Sequence, residues 1–406
     1  MMRRTVLWGG LVAATVVAVV VAVVWFSLGS SVDERVGGSA AESVPVAGAD
    51  LSGSGPGSLV SAMTMPAFLR AVHTDRLQAA RVTYRSTSED GQPTVVSGGM
   101  FVPEGGPPAG GWPVIAWGHA TTGIDEPCAP SLSDSLLGSA QVVAALLAKG
   151  YAVAFADYQG LGTPGVHPYT DSRTTGRNMI DAVRALRATF KDVSNRWGAY
   201  GASQGGGSAW AADEQASTYA PELDLVGAVA ISPAADVTGL VDKAQRGTLT
   251  IDQDAALSMI IESLARLHPD INRDDYRHGA AARNWDAIVA CSGPKMGGRS
   301  QAIKAIEPHD VAASTPEDAD RLRHDLAQWA LPQQRLSAPL LVWYGGTDTF
   351  IDAPWTAGAI QRACALGGEV VAQFEADKGH GEANYFDQLQ WLTDRFAGKT
   401  ATNDCS

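Results

Sequence analysis

Cysteine is scarce in this chain, with 4 in 406 residues. A disulfide scaffold is thereby excluded, because such folds need many bridges per residue. Basic residues are outnumbered: 30 Lys and Arg stand against 43 Asp and Glu, for a net charge of -13. That balance repels polyanions and makes nucleic acid a poor partner. Charge of either sign is sparse at 18%, while 45% of residues are hydrophobic. Wholesale disorder needs the opposite composition. The 44 Gly follow no period, so collagen is excluded as well. No H-E-x-x-H, C-x-x-C or P-loop signature occurs, and the sequence implies no metal or other cofactor.

The most prominent feature present is one long apolar run. Arg3 and Arg4 precede Thr5 to Leu28, 24 residues without a charge. At about 1.5 Å per residue the run reaches roughly 36 Å, enough to cross a bilayer core of about 30 Å. Residues 1–28 therefore read as a signal anchor or as a long cleaved signal peptide. Either one exports the rest of the chain and leaves Arg3 and Arg4 cytoplasmic. The expected location is outside the cell, secreted or tethered to the outer face of the membrane by residues 5–28. Residues 29–57 are rich in Gly, Ser and Ala and read as a flexible linker outside the fold.

From Ala80 onward strands and helices alternate. Arg81–Ser86 and Thr94–Val102 flank Asp90-Gly91, an antiparallel hairpin. The stretches 112–117, 151–158, 197–201, 225–231, 339–344 and 370–375 are strands, mostly continuous apolar runs. Helical spacing covers 135–149, 174–190, 205–215, 353–366 and 384–396. Continuous apolar strands between helices predict a mostly parallel sheet with helices on both faces, an α/β fold. The alternation fails over 236–334, where the spacing is helical throughout. Thr250-Ile251-Asp252-Gln253 is a capping box, and Thr315-Pro316 opens another helix. The main domain is thus expected in two pieces, 58–235 and 335–406, with 236–334 as an inserted helical cap or lid. The stripe Leu257, Ile260, Ile261, Leu264, Leu267 in that insertion is expected to pack on a core, the alternative being a lid that exposes it at a lipid interface.

Chemistry concentrates at four loops. Gly201-Ala202-Ser203-Gln204-Gly205 matches G-x-S-x-G between a strand and a small-residue helix, the setting this motif requires. A Ser hydroxyl is a weak nucleophile and needs a base, which in turn needs an acid. The expected chain order is Ser, acid, His. Asp348 follows the strand 339–344 and is the expected acid, with Asp352 as a nearby rival. His380 follows the strand 370–375 and is the expected base. Oxyanion donors are expected at Gln204 and in the loop Gly118–Gly123, from Thr122 or Thr121. His119 in that loop reads as structural. Gly160-Leu161-Gly162-Thr163-Pro164-Gly165 matches a dinucleotide fingerprint, but Pro164 and Pro168 bar the helix that such a site needs. It reads as a loop beside the active site.

These residues resemble the secretory lipase family of fungi and actinobacteria. The likeness spans about residues 60–405. It rests on Thr121-Thr122-Gly123, Cys128-Ala129-Pro130-Ser131, Asp157-Tyr158-Gln159-Gly160-Leu161-Gly162, the Tyr200–Gly205 elbow, Gly346-Thr347-Asp348 and Gly379-His380. The resemblance implies an α/β-hydrolase fold with a helical lid, and a triad of Ser203, Asp348 and His380. It places the oxyanion donors at Gln204 and Thr122. Four Cys allow three pairings. The resemblance favours Cys128–Cys291 and Cys364–Cys405. The expected activity is a carboxylic ester hydrolase, a lipase or esterase on acylglycerols or related lipid esters, working as a monomer without a cofactor. The alternatives are a serine peptidase or acyltransferase on the same fold, or a non-catalytic surface protein.

Overall fold

The computed structural model describes residues 42–73, 76–291 and 297–405. The expected leader at 1–28 and the first part of the expected linker lie outside these residues. Among the described residues no helix is long and apolar enough to cross a membrane.

Among the described residues a sheet of nine strands organises the chain. The strands are β1 Leu59–Thr64, β2 Leu77–Thr87, β3 Pro93–Pro103, β4 Trp112–Gly118, β5 Ala152–Ala156, β6 Val193–Ala202, β7 Asp224–Ile231, β8 Leu340–Gly345 and β9 Val370–Glu375. Their spatial order is β1-β2-β3-β5-β4-β6-β7-β8-β9. The strands β1, β2 and β3 pair antiparallel, and β3 meets β5 antiparallel. From β5 to β9 every pairing is parallel. The central strands are buried on both faces, which is why they read as unbroken apolar runs.

Helices cover both faces. On one side Ser172–Thr189, Gln204–Tyr219 and Ala353–Ala365 pack Ile180, Trp210 and Ala359 against Val114, Ala116 and Val342. On the other, Ala140–Ala148 and Tyr385–Phe396 pack Val143 and Leu392 against Ile115, Val153 and Trp343. Alternate residues of the central strands thus feed two separate cores. A third core lies between β7 and β8, where the described residues form helices and no strand. Its longest member, Ile251–Leu267, opens with the capping box of Thr250 and Gln253. Leu257, Ile260, Ile261 and Leu264 of its apolar stripe are buried in that core.

The sequence reading needs three corrections. Residues 42–57 are not a free linker in full: Pro45 bridges to Met63, Val46 N–H donates to Ala62 O, and Val46 and Ala49 rest on the main core. The strand β1 and the short helix Pro66–Ala71 follow directly and were not legible in the spacing. The helix expected over 135–149 begins only at Ala140, because Leu136 and Leu137 both adopt φ 49 and break the helical path.

Candidate active site

The chain passes from β5 across β4 to β6, so the loops after β4 and β6 open side by side at the carboxyl ends of parallel strands. Such a crossover is the expected ligand crevice of an open α/β sheet. The register Gly118↔Gly201 places the β4 loop beside the elbow.

Ser203 stands at the elbow tip with φ 57 and ψ -121, a strained conformation for a residue with a side chain. Its N–H donates to Ile231 O at 2.8 Å, and the carbonyl accepts Gly207 N–H at 3.1 Å and Ala234 N–H at 3.1 Å. The elbow is therefore pinned from β7 as well as from its own helix. The next residue of β7's continuation, Ser232, accepts Gly381 N–H on its Oγ at 3.2 Å. One short path along β7 thus connects Ser203 to the loop that carries His380.

Asp348 and His380 meet directly: Nδ1 of His380 lies 2.8 Å from Oδ2 of Asp348. The other carboxylate oxygen accepts the N–H groups of Phe350 at 2.8 Å and Ile351 at 2.9 Å. Those two donors fix the carboxylate plane. The Phe350 ring packs on the imidazole, with centroids 4.9 Å apart. The two loops close on each other through Gly346 N–H to Glu375 O and Thr347 N–H to Lys378 O. Asp352, the rival acid, faces the other way: its carboxylate takes Lys243 Nζ and Gln253 Nε2. A further carboxylate, Asp252, stands near His380; burial raises its pKa, while a hydrogen bond from Thr349 Oγ1 pulls it down.

Around the elbow, Thr121 Oγ1 and Tyr169 Oη share a hydrogen bond of 2.8 Å. The buried Thr122 Oγ1 has no partner among the described residues. His119 is buried, stacked on Tyr158, and within hydrogen-bond distance of the Ala120 and Asp157 carbonyls. Burial lowers its pKa. Gly160 to Gly165 forms turns with no helix, and the next helix starts at Ser172. Sequence reasoning missed His167, which follows that loop and meets the Gln204 side chain at 2.7 Å. It also missed Asp252. Each joins segments distant along the chain, and no local spacing announces them.

Both disulfides are formed, Cys128–Cys291 and Cys364–Cys405. The first ties the loop after β4 to the helical insertion. Among the described residues no group of three His, Cys, Asp or Glu is placed to hold a metal ion.

Comparison with known proteins agrees with this architecture. A Mycobacterium tuberculosis protein named probable inactive lipase is 26% identical over 375 residues, covering 86% of this chain and 80% of that protein. The X-ray structure of Candida antarctica lipase A in its closed state superposes with a TM-score of 0.70 at 17% identity, over 86% of this chain and 84% of that one. The rice cell wall degrading esterase LipA from Xanthomonas oryzae, in a ligand-bound form, gives a TM-score of 0.64 at 21% identity, over 85% of this chain and 97% of that one. At these identities the structural likeness speaks for the fold, which is that of the α/β hydrolases. Residues 137–404 match the family described as Secretory lipase, and with most of its length matched the chain belongs to the secretory lipase family.

Proposed function

We propose that the chain is an exported carboxylic ester hydrolase acting on acylglycerols or related lipid esters. The observation that carries this reading is the Asp348–His380 pair, 2.8 Å apart, set past the carboxyl ends of β8 and β9, in the same parallel sheet whose strand β6 ends at Ser203 on its strained elbow. In this reading Ser203 attacks the ester carbonyl, and His380 Nε2 takes its proton and later gives it to the leaving alcohol. Asp348 holds the proton on Nδ1 and stabilises the imidazolium. The N–H groups of Gln204 and Thr122 receive the oxyanion. Water then cleaves the acyl-enzyme by the same steps.

The inserted residues 236–334 act here as a cap. Its long helix is bonded to the acid loop through Thr250 Oγ1 to Thr349 O and Gln253 Nε2 to Phe350 O. Two disulfides and the family's secretory character favour an oxidising compartment outside the cytoplasm.

The Mycobacterium relative's name raises the opposite reading, a scaffold without activity. Hydrolysis of a nitrophenyl ester series and labelling by a fluorophosphonate decide between them. Wild-type protein should do both, and Ser203→Ala should lose about a million-fold in turnover and all labelling. A Ser203→Ala protein with wild-type hydrolysis ends the proposal.

A further inference from the structure

Gln204 opens the helix Gln204–Tyr219 and is followed by Gly205, Gly206 and Gly207. A first turn made of glycine offers no side chain to anchor it, apart from that of Gln204. This side chain is buried, and among the described residues it makes one hydrogen bond, from Nε2 to His167 Nε2 at 2.7 Å. His167 is buried too. Its Nδ1 lies 2.9 Å from the Gln159 carbonyl, which can only accept. The proton therefore sits on Nδ1, and Nε2 is left as the acceptor that Gln204 needs. Burial pushes the imidazole down to about 3, so the ring stays neutral at ordinary pH.

The backbone of His167 is held from the inserted helices. Ser263 Oγ donates to His167 O at 2.5 Å and accepts Tyr169 N–H at 3.0 Å. Ser263 lies on Ile251–Leu267, the helix whose other end is bonded to the acid loop.

We infer that His167 is a positioning residue: it holds the Gln204 side chain, and thereby the Gln204 N–H, in line with the oxyanion, while Ser263 sets where His167 stands. This rests on the reading of Ser203 as the nucleophile. An oxyanion donor works only when preorganised at hydrogen-bond distance, and a displacement of about 1 Å costs about 100-fold in rate.

The experiment compares His167→Phe, Gln204→Met, the double variant and Ser263→Ala, each normalised by fluorophosphonate titration of active sites. Phenylalanine keeps the ring between Tyr158 and Tyr169, whose centroids are each 6.1 Å from that of His167. The expected result for His167→Phe is a fall of about 10–100-fold in kcat on a nitrophenyl ester, with KM changed less than about twofold. Affinity for phenylboronic acid, which mimics the tetrahedral state, should fall in the same ratio, because a lost transition-state contact weakens both together. In the Gln204→Met background His167→Phe should cost less than about twofold more, since the two act through one contact. Ser263→Ala should lower kcat about 3–10-fold with a matching boronate shift. If His167→Phe does not fold, Gln204→Met and Ser263→Ala carry the test alone. Wild-type kcat per titrated site in His167→Phe or in Gln204→Met overturns the inference. So does an equal loss from His167→Phe in both backgrounds. A wild-type protein that neither hydrolyses esters nor takes the probe fails the nucleophile reading instead.

Discussion

Lys243 Nζ lies 2.9 Å from Asp352 Oδ2, only four residues beyond Asp348. The two carboxylates face opposite partners. Asp348 faces His380, and Asp352 faces the insertion through Lys243 and Gln253. Asp348→Asn is therefore expected to lower kcat about 10⁴-fold, by favouring the wrong His380 tautomer. Asp352→Asn leaves Lys243 short of a partner and should cost about 1–2 kcal/mol of stability. It should retain most of the turnover. Ester kinetics and thermal melts on both variants check this. Equal kinetic losses would remove the distinction between the two acids.

The elbow is packed backbone against backbone. A Cβ on Gly205 would collide with the Gly118 carbonyl oxygen, and main chain cannot rotate away as a side chain can. Gly205→Ala should cost about 3 kcal/mol or more, or prevent folding. Gly358 is the contrast, inside the helix Ala353–Ala365, where an added methyl meets only Arg362 Nη1 at 3.5 Å. Gly358→Ala should stabilise by about 0.5–1 kcal/mol through helix propensity. Urea denaturation of the pair tests both signs.

Much of the candidate site was legible because the fold puts each candidate just past a strand end, and strands read as apolar runs. Ser203, Asp348 and His380 each follow such a run, and the structure brings the last two into contact. What could not be read were contacts closed over long separations. His167 reaches Gln204, and Lys243 reaches Asp352, through tertiary packing that leaves no spacing in the sequence. The strand β1 was missed because Leu59–Thr64 is short and follows a Gly/Ser-rich stretch that resembles a linker. The late start of the helix at Ala140 was missed because Leu136 and Leu137 suit the helical period. Leu136 is instead buried and Leu137 exposed in a kinked turn.

The two disulfides should differ in consequence. Cys128–Cys291 closes a separation of 163 residues, and its Cys128 Sγ packs so close to Gly123 that a Cβ there would collide with it, in the loop of the expected oxyanion donor. Cys364–Cys405 closes 41 residues and fastens the C-terminal tail. Either double Cys→Ala variant should lose about 2–5 kcal/mol. Only loss of the first should also lower kcat below the melting range. Kinetics well below the melting range alongside melts separate the effects, and unchanged kcat without Cys128–Cys291 would detach that bridge from the site.

Two adjacent acids buried in the helix behind the elbow should contribute to the pH dependence of stability, alongside Asp181 and Asp254, which burial also raises. Asp213 Oδ1 accepts the N–H groups of Ser337 and Ala338, and Glu214 Oε2 accepts those of Gln333 and Gln334. The second oxygen of Asp213 has no partner among the described residues. Burial pushes Asp213 up to about 8 and Glu214 up to about 7, against the pull of those backbone donors. In the unfolded chain both ionise near pH 4. Between about pH 4 and pH 8 the folded state thus binds more protons than the unfolded one, so stability falls as pH rises through that window. Below it the contribution is fully present, and above it the loss is complete. Asp213→Asn and Glu214→Gln keep a carbonyl acceptor for the same N–H groups and cannot ionise. Both should flatten the fall, and Asp213→Asn should melt higher than wild type at about pH 8. Melting temperatures across that window test this, and a slope unchanged in both variants would refute it. Because Gln333 to Ala338 leads into β8, whose end carries Asp348, activity surviving an alkaline incubation should rise with the same substitutions.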